Sequence, residues 1–200
     1  MDRLSIVLFD GFEELDAIGP YEVFGTAAAV GGDVAVDCRT LDPADRVRAS
    51  HGLRVEPDGI LDDADPDLLV VPGGGWSSGG GVRDAVEDGR LPKVVAERHA
   101  TGTPVASVCT GAMILAAGGL LDDRPAITHA SAIDDLSEYA DVVDARVVDD
   151  GDILSAGGVT AGIDLALHIV ERRYGTAIAD RTTEVLEHDR TAEVFEPDRE

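Results

Sequence analysis

Residues 103–117 read TPVASVCTGAMILAA, and no other run constrains the fold as tightly. The apolar stretch 105–108 suits a strand buried on both faces. Cys109, Thr110 and Gly111 interrupt it, and a small-residue segment of helical character follows. A buried strand that turns abruptly into a helix leaves its last residue at the carboxyl edge of a sheet. There the first free N–H groups of the helix and the positive end of its dipole face that residue. This setting predicts a lowered pKa for Cys109 and a nucleophilic thiolate; the competing reading is a buried structural thiol.

The remaining pattern supplies the sheet. Strands are expected at 3–9, 34–41, 67–71 and 104–108, with short strands near 47–57, at 126–129, and at 142–148 and 153–155. Helices are expected at about 21–30, with Pro20 near the first turn, and at 82–87, 91–100, 132–139, 160–174 and 176–188. Strands alternating with helices predict an α/β fold: a doubly wound, mostly parallel sheet sandwiched by helices, with ligands at the strands' carboxyl ends. Neither a repeat nor a linker interrupts it, so residues 1–200 are read as one domain whose acidic stretch 189–200 is a mobile tail.

At 200 residues and 44% apolar composition the chain can bury a sizeable core. Acidic residues number 40 against 16 basic ones, a formal charge of −24. Lys93 is the only lysine. Such a surface repels nucleic-acid backbones and anionic membranes. Acid spread along a well-patterned chain suits a salt-rich cytoplasm, where the Debye length falls to roughly 3 Å at molar salt. An ordinary acidic protein is the plainer alternative. The opening LSIVLF is too short for a signal peptide, and no apolar run approaches a membrane span, so a cytoplasmic location is expected. Cys38 and Cys109 are expected to be reduced, Cys38 as a core filler. No metal-ligand spacing occurs, so neither metal nor cofactor is expected.

Three strand ends carry unusual chemistry. After the first strand, Asp16 sits between Leu15 and Ala17; it is either a helix cap or, if tucked beside a thiolate, a carboxyl with a raised pKa that donates a proton. After residues 67–71, Gly73, Gly74 and Gly75 either bring backbone N–H groups to a ligand or form a plain turn. No Gly-Lys-Ser/Thr follows, which argues against a phosphate loop. His129 either orients a group in the same crevice or caps the next helix. His51, His99, His168 and His188 have no supporting context.

The combination FEELDAIGPYEVF, VVPGGG, ASVCTGAMILAAGGLL, ITHAS and SAGGVTAGIDLALHIVE resembles the DJ-1/ThiJ/PfpI family over residues 4–188, most closely its isonitrile hydratase-like members. The resemblance implies a flavodoxin-like, class I glutamine amidotransferase-like fold, a homodimer and a small-molecule substrate with no cofactor. It assigns Cys109 as nucleophile, Asp16 as the acid hydrogen-bonded to it, and Thr110 as the hydratase residue after the cysteine. Gly74 falls in the loop whose N–H faces the reacting atom, and His129 is a possible auxiliary. The implied reaction hydrates an isonitrile to an N-substituted formamide. Peptidases of the family carry histidine where Thr110 stands. Glyoxalase and deglycase members carry glutamate where Asp16 stands, and that chemistry is the alternative; a redox or ligand sensor using Cys109 is the other.

Overall fold

The structure, a computed structural model, describes residues 1–190 and 194–197. In chain order the elements are β1 (Asp2–Val7), α1 (Glu14–Ala29), β2 (Val34–Thr40), β3 (Val47–Arg48), β4 (Arg54–Val55), β5 (Gly59–Ile60) and β6 (Leu68–Val71). They continue with α2 (Val82–Asp88), α3 (Arg90–Ala100), β7 (Val105–Val108), α4 (Ala112–Ala117), β8 (Pro125–Ala126), α5 (Ile133–Leu136) and β9 (Asp141–Val142). The chain ends in β10 (Val147–Asp149), β11 (Ile153–Ala156), α6 (Ala161–Tyr174), α7 (Thr176–Leu186) and β12 (Val194–Phe195).

Eight strands form the main sheet in the order β12-β10-β11-β7-β6-β1-β2-β5. Every neighbouring pair is parallel except β10 with β11. Alternate side chains face opposite layers, and both layers are apolar, which is why the central strands read as nearly continuous hydrophobic runs, broken by Ser5 and Ser107. Leu4, Ile6, Leu68, Val70, Ala106 and Val108 pack beneath α1, α6 and α7. Val7, Leu69, Val71 and Val105 pack with residues of α2, α3 and α4 on the other face. The chain therefore winds outward in both directions from β1 and β6. At that reversal the loops leaving β1, β6 and β7 crowd the carboxyl edge, where open α/β sheets bind ligands.

The sequence reading and the structure differ in several places; the strand expected at 142–148, for one, is divided between β9 and β10, with residues 143–146 in neither. Helix α1 starts at Glu14, not near Tyr21, and carries Pro20 inside it. Glu14 and Asp16 suit a helix N-terminus, and the buried stripe Ala17, Pro20, Val23, Phe24 and Ala27 keeps the element continuous despite the missing proline N–H. The segment expected as a strand at 126–129 and a helix at 132–139 is shorter: β8 pairs only with β9, outside the main sheet, and α5 is a single turn. Finally, Val194–Phe195, expected within a mobile tail, pairs with β10 at the sheet edge; residues 191–193 and 198–200 of that expected tail lie outside the described residues.

Candidate active site

Cys109 follows β7 directly and opens a turn of 3-10 helix, Cys109–Gly111, that leads into α4. Its φ is +58°, a left-handed conformation rare for a residue with a side chain. Two hydrogen bonds hold the elbow: the Cys109 N–H donates to the Gly157 carbonyl at 2.9 Å, and the Thr128 hydroxyl donates to the Cys109 carbonyl at 2.8 Å. Strain of this sort persists only where the surroundings enforce it, and it concentrates at functional sites. Gly111 lets the elbow close, since a side chain there would strike the Val71 and Pro72 carbonyls.

Asp16 reaches the same point from the first turn of α1. It is fully buried. Its Oδ2 accepts the Gly73 N–H at 3.0 Å, while Oδ1 is buried and takes no hydrogen bond from any N–H or O–H among the described residues. The carboxyl is therefore no cap of α1; it faces the thiol. Burial pushes its pKa up to about 7, with the Gly73 N–H and the Cys109 thiol opposing and the charge of Glu13 assisting.

The thiol departs from expectation. Burial, and after it the charge of Asp16, pushes Cys109 up to about 12. The N–H groups of Val159 and Thr110 and the Thr110 hydroxyl act in the opposite direction without prevailing. The helix N-terminus is present, but Cys109 is only 6% exposed, and the desolvation of a thiolate outweighs three donors. At rest the proton belongs on sulfur, beside a carboxyl that titrates near neutrality.

Thr110 locks the third strand end. Its Oγ1 accepts the Gly74 N–H at 2.9 Å and lies 2.8 Å from the Gly74 carbonyl. The amides of Gly73 and Gly74 are thus engaged by Asp16 and Thr110, not turned toward a ligand. What the glycines supply is close approach. A Cβ on Gly73 would stand 2.6 Å from Asp16 Oδ2 and 2.8 Å from the Thr110 nitrogen, and one on Gly74 would stand 2.5 Å from the Gly11 carbonyl. Gly75 packs equally tightly on the Gly79 carbonyl. Trp76, buried, carries the loop onward: its Nε1 donates to Asp135 Oδ2 at 2.5 Å, and Arg83 stacks 4.0 Å from its ring centroid.

His129 takes the capping role. Its Nδ1 accepts the Ser131 N–H at 3.1 Å and lies 2.8 Å from the Ser131 hydroxyl, so the ring proton sits on Nε2. The ring packs against Gly158, one residue before Val159. Val159 is the donor that sequence reasoning missed. It holds φ +24° despite β-branching, and the signal was available in the run GGVTAG, which leaves a strand's carboxyl end and opens α6. The histidines without context each meet an acid: His51 with Glu14, His99 with Asp152, His168 with Asp149 and His188 with Asp164. Cys38 and Cys109 are both free thiols.

Comparison with known proteins gives a consistent result. The sequence profile of the DJ-1/PfpI family matches residues 2–172. The chain is 34% identical over 188 residues to an isonitrile hydratase of Pseudomonas putida, covering 93% of this chain and 78% of that protein. It is 33% identical over 162 residues to the deglycase TK1284 of Thermococcus kodakarensis, covering 77% of this chain and 89% of that one. Among solved structures, a ThiJ/PfpI family protein from Pseudomonas syringae superimposes with a TM-score of 0.84 at 28% identity, over 94% of this chain and 75% of the other. Drosophila melanogaster DJ-1beta does so with a TM-score of 0.82 at 22% identity, over 94% and 98% of the two chains.

Proposed function

The chain belongs to the DJ-1/PfpI family, and from that membership we propose that it is a cysteine-dependent hydratase, a lyase that adds water to an isonitrile and releases an N-substituted formamide. The observation that carries this reading is Thr110. Its hydroxyl is tied to both backbone groups of Gly74 at the position directly after the nucleophile, and the relative at 34% identity over nearly the whole chain is named for that reaction.

The resting pair suits such chemistry. Asp16 titrates near neutrality and so ionises where Cys109 still carries its proton. As sulfur bonds to the terminal carbon of R–N≡C, the Asp16 carboxylate accepts the thiol proton and then delivers it to that carbon, giving R–N=CH–S–Cys109. The negative charge that crosses the sulfur meets the N–H groups of Val159 and Thr110. The Thr110 hydroxyl has one hydrogen and two takers, the Gly74 carbonyl and the sulfur; turning to sulfur as charge develops stabilises the transition state without moving the backbone. Asp16 then takes a proton from water as its oxygen adds to the same carbon, and the nitrogen gains a proton. Collapse of R–NH–CH(OH)–S–Cys109 expels the thiolate, which is reprotonated, and R–NH–CHO leaves. One isonitrile and one water are consumed for each formamide.

We read the chain further as a homodimer of a salt-rich cytoplasm, so the assay belongs in molar KCl. Purified protein, Cys109→Ala and Asp16→Ala are each given an isonitrile and methylglyoxal. Formamide is expected from the parent and from neither variant, with a loss of about a thousandfold or more when a nucleophile is removed. Lactate in place of formamide favours the glyoxalase and deglycase reading, which the Thermococcus kodakarensis relative supports. No turnover with ready oxidation of Cys109 favours a sensor.

A further inference from the structure

Outside the reacting pair, one exposed side chain grips the loop that presents a donor to the sulfur. Arg146 lies one residue before β10, some distance along the chain from Cys109. Its carbonyl accepts the Gly157 N–H at 3.0 Å. Its Nη2 donates to Thr160 Oγ1 at 3.0 Å and its Nε donates to Asp164 Oδ2 at 2.5 Å. Backbone, loop end and first turn of α6 are thereby pinned by one residue at three successive points. Asp164 is buried, with 7% of its side chain exposed, and His188, two residues beyond α7, holds its other oxygen at 2.9 Å.

Between the first and second of those points lie Gly158 and Val159. Val159 carries the N–H that faces Cys109 sulfur, in a left-handed conformation that a β-branched residue does not adopt unaided. On the inner side the Gly157 carbonyl accepts the Cys109 N–H, so the loop is fastened to the elbow on one side and to Arg146 on the other. We propose that Arg146, with Thr160 and Asp164, is a positioning residue: its forked grip forces Val159 into the strained conformation that aims its amide at Cys109. A guanidinium is required because Nε and Nη2 must serve two acceptors in fixed geometry, which a lysine ammonium cannot reproduce. The inference rests on Cys109 as the reacting thiol, not on the identity of the substrate.

The test follows the thiol and needs no substrate. In a Cys38→Ala background, alkylation of Cys109 by iodoacetamide is measured against pH, with thermal midpoints recorded in parallel. Arg146→Met and Thr160→Val are expected to slow alkylation near neutral pH by about tenfold, the worth of one hydrogen bond to a charged group, and to move the alkylation profile to higher pH. Arg146→Lys is expected to recover only part of the rate, and Asp164→Asn, which keeps an acceptor oxygen, more than Asp164→Ala. A profile that stays at the parent's pH in the Arg146 and Thr160 variants, whatever happens to their midpoints, overturns the positioning role and leaves the nucleophile standing. A folded parent whose Cys109 resists alkylation at every pH overturns the reacting-thiol reading and the positioning role together.

Discussion

Asp16 concentrates the chemistry of this site in one side chain, and its cost to folding is measurable. In the unfolded chain it titrates at its ordinary value of 3.8, and in the fold at about 7. Between those values the folded chain keeps a proton that the unfolded chain has released, so stability falls as pH rises through the window and stays low above it. About three pKa units correspond to a penalty of roughly 4 kcal/mol above neutrality for this fully buried carboxyl. Asp16→Asn removes the ionisation and leaves an oxygen for the Gly73 N–H. It is therefore expected to equal the parent near pH 4, to exceed it increasingly up to about pH 7, and to hold a constant lead at pH 8. Paired denaturant titrations across that range check this, and a lead that does not change with pH contradicts the raised carboxyl. The sequence placed Asp16 among site candidates because a carboxylate in an apolar stretch needs a reason. It did not reveal the direction of the Cys109 shift. A helix N-terminus is visible in a string of letters, whereas the 6% exposure that defeats it depends on how three loops close over the sulfur.

Elements explain why some of the chain was legible and some was not. The strands β1, β6 and β7 could be read because both faces of their central residues are buried, which keeps them apolar apart from the small serines Ser5 and Ser107. The start of α1 could not, because proline at position 20 signals a helix start wherever it stands, while packing against α6 decides whether the helix extends beyond it. The same competition between local preference and packing separates two helical glycines. Replacing glycine by alanine inside a helix gains about 0.5–1 kcal/mol on propensity alone. Gly25 in α1 has open space where a Cβ would go, so Gly25→Ala is expected to raise the thermal midpoint by that small increment. Gly162 in α6 sits against β7, and its Cβ would lie 3.0 and 3.2 Å from the two methyl carbons of Val108, beside Cys109. Val108 is buried and stiff at χ1, so it cannot give way cheaply. Gly162→Ala is expected to cost about 1–3 kcal/mol through overpacking and to depress turnover as the elbow shifts. Melting curves of the two variants should move in opposite directions; a common direction would mean that propensity, not the contact between α6 and β7, governs both.

At the scale of the whole molecule the excess of acid is expected to make stability depend on salt. Forty carboxylates face sixteen basic side chains, so most acids have no cation to themselves. Asp134, Asp135, Asp141 and Asp144 crowd the stretch from α5 to β10. Arginines bind the acids that matter for architecture, as Arg172 does Asp149 and Arg39 does Asp37. Those pairs are at least half shielded and lose little to salt, whereas repulsion among exposed carboxylates is screened strongly, with a Debye length near ~10 Å at 0.1 M falling to ~3 Å at 1 M. Added salt therefore removes a destabilising term and leaves the stabilising ones largely intact. If screening relieves about 3 kcal/mol, the thermal midpoint of a chain this size should rise by roughly 6–12 °C between 0.1 M and 2 M KCl. Sucrose is the control for general solvent exclusion, and a variant with a set of exposed aspartates changed to asparagine separates charge from salt-specific effects on hydration. That variant is expected to melt higher than the parent at low salt and to gain less from KCl. A parent midpoint that is flat or falls with KCl, or a neutralised variant that keeps the full salt response, would mean that the acidic surface is no adaptation to salt. The high-salt assay conditions would then have no physical basis.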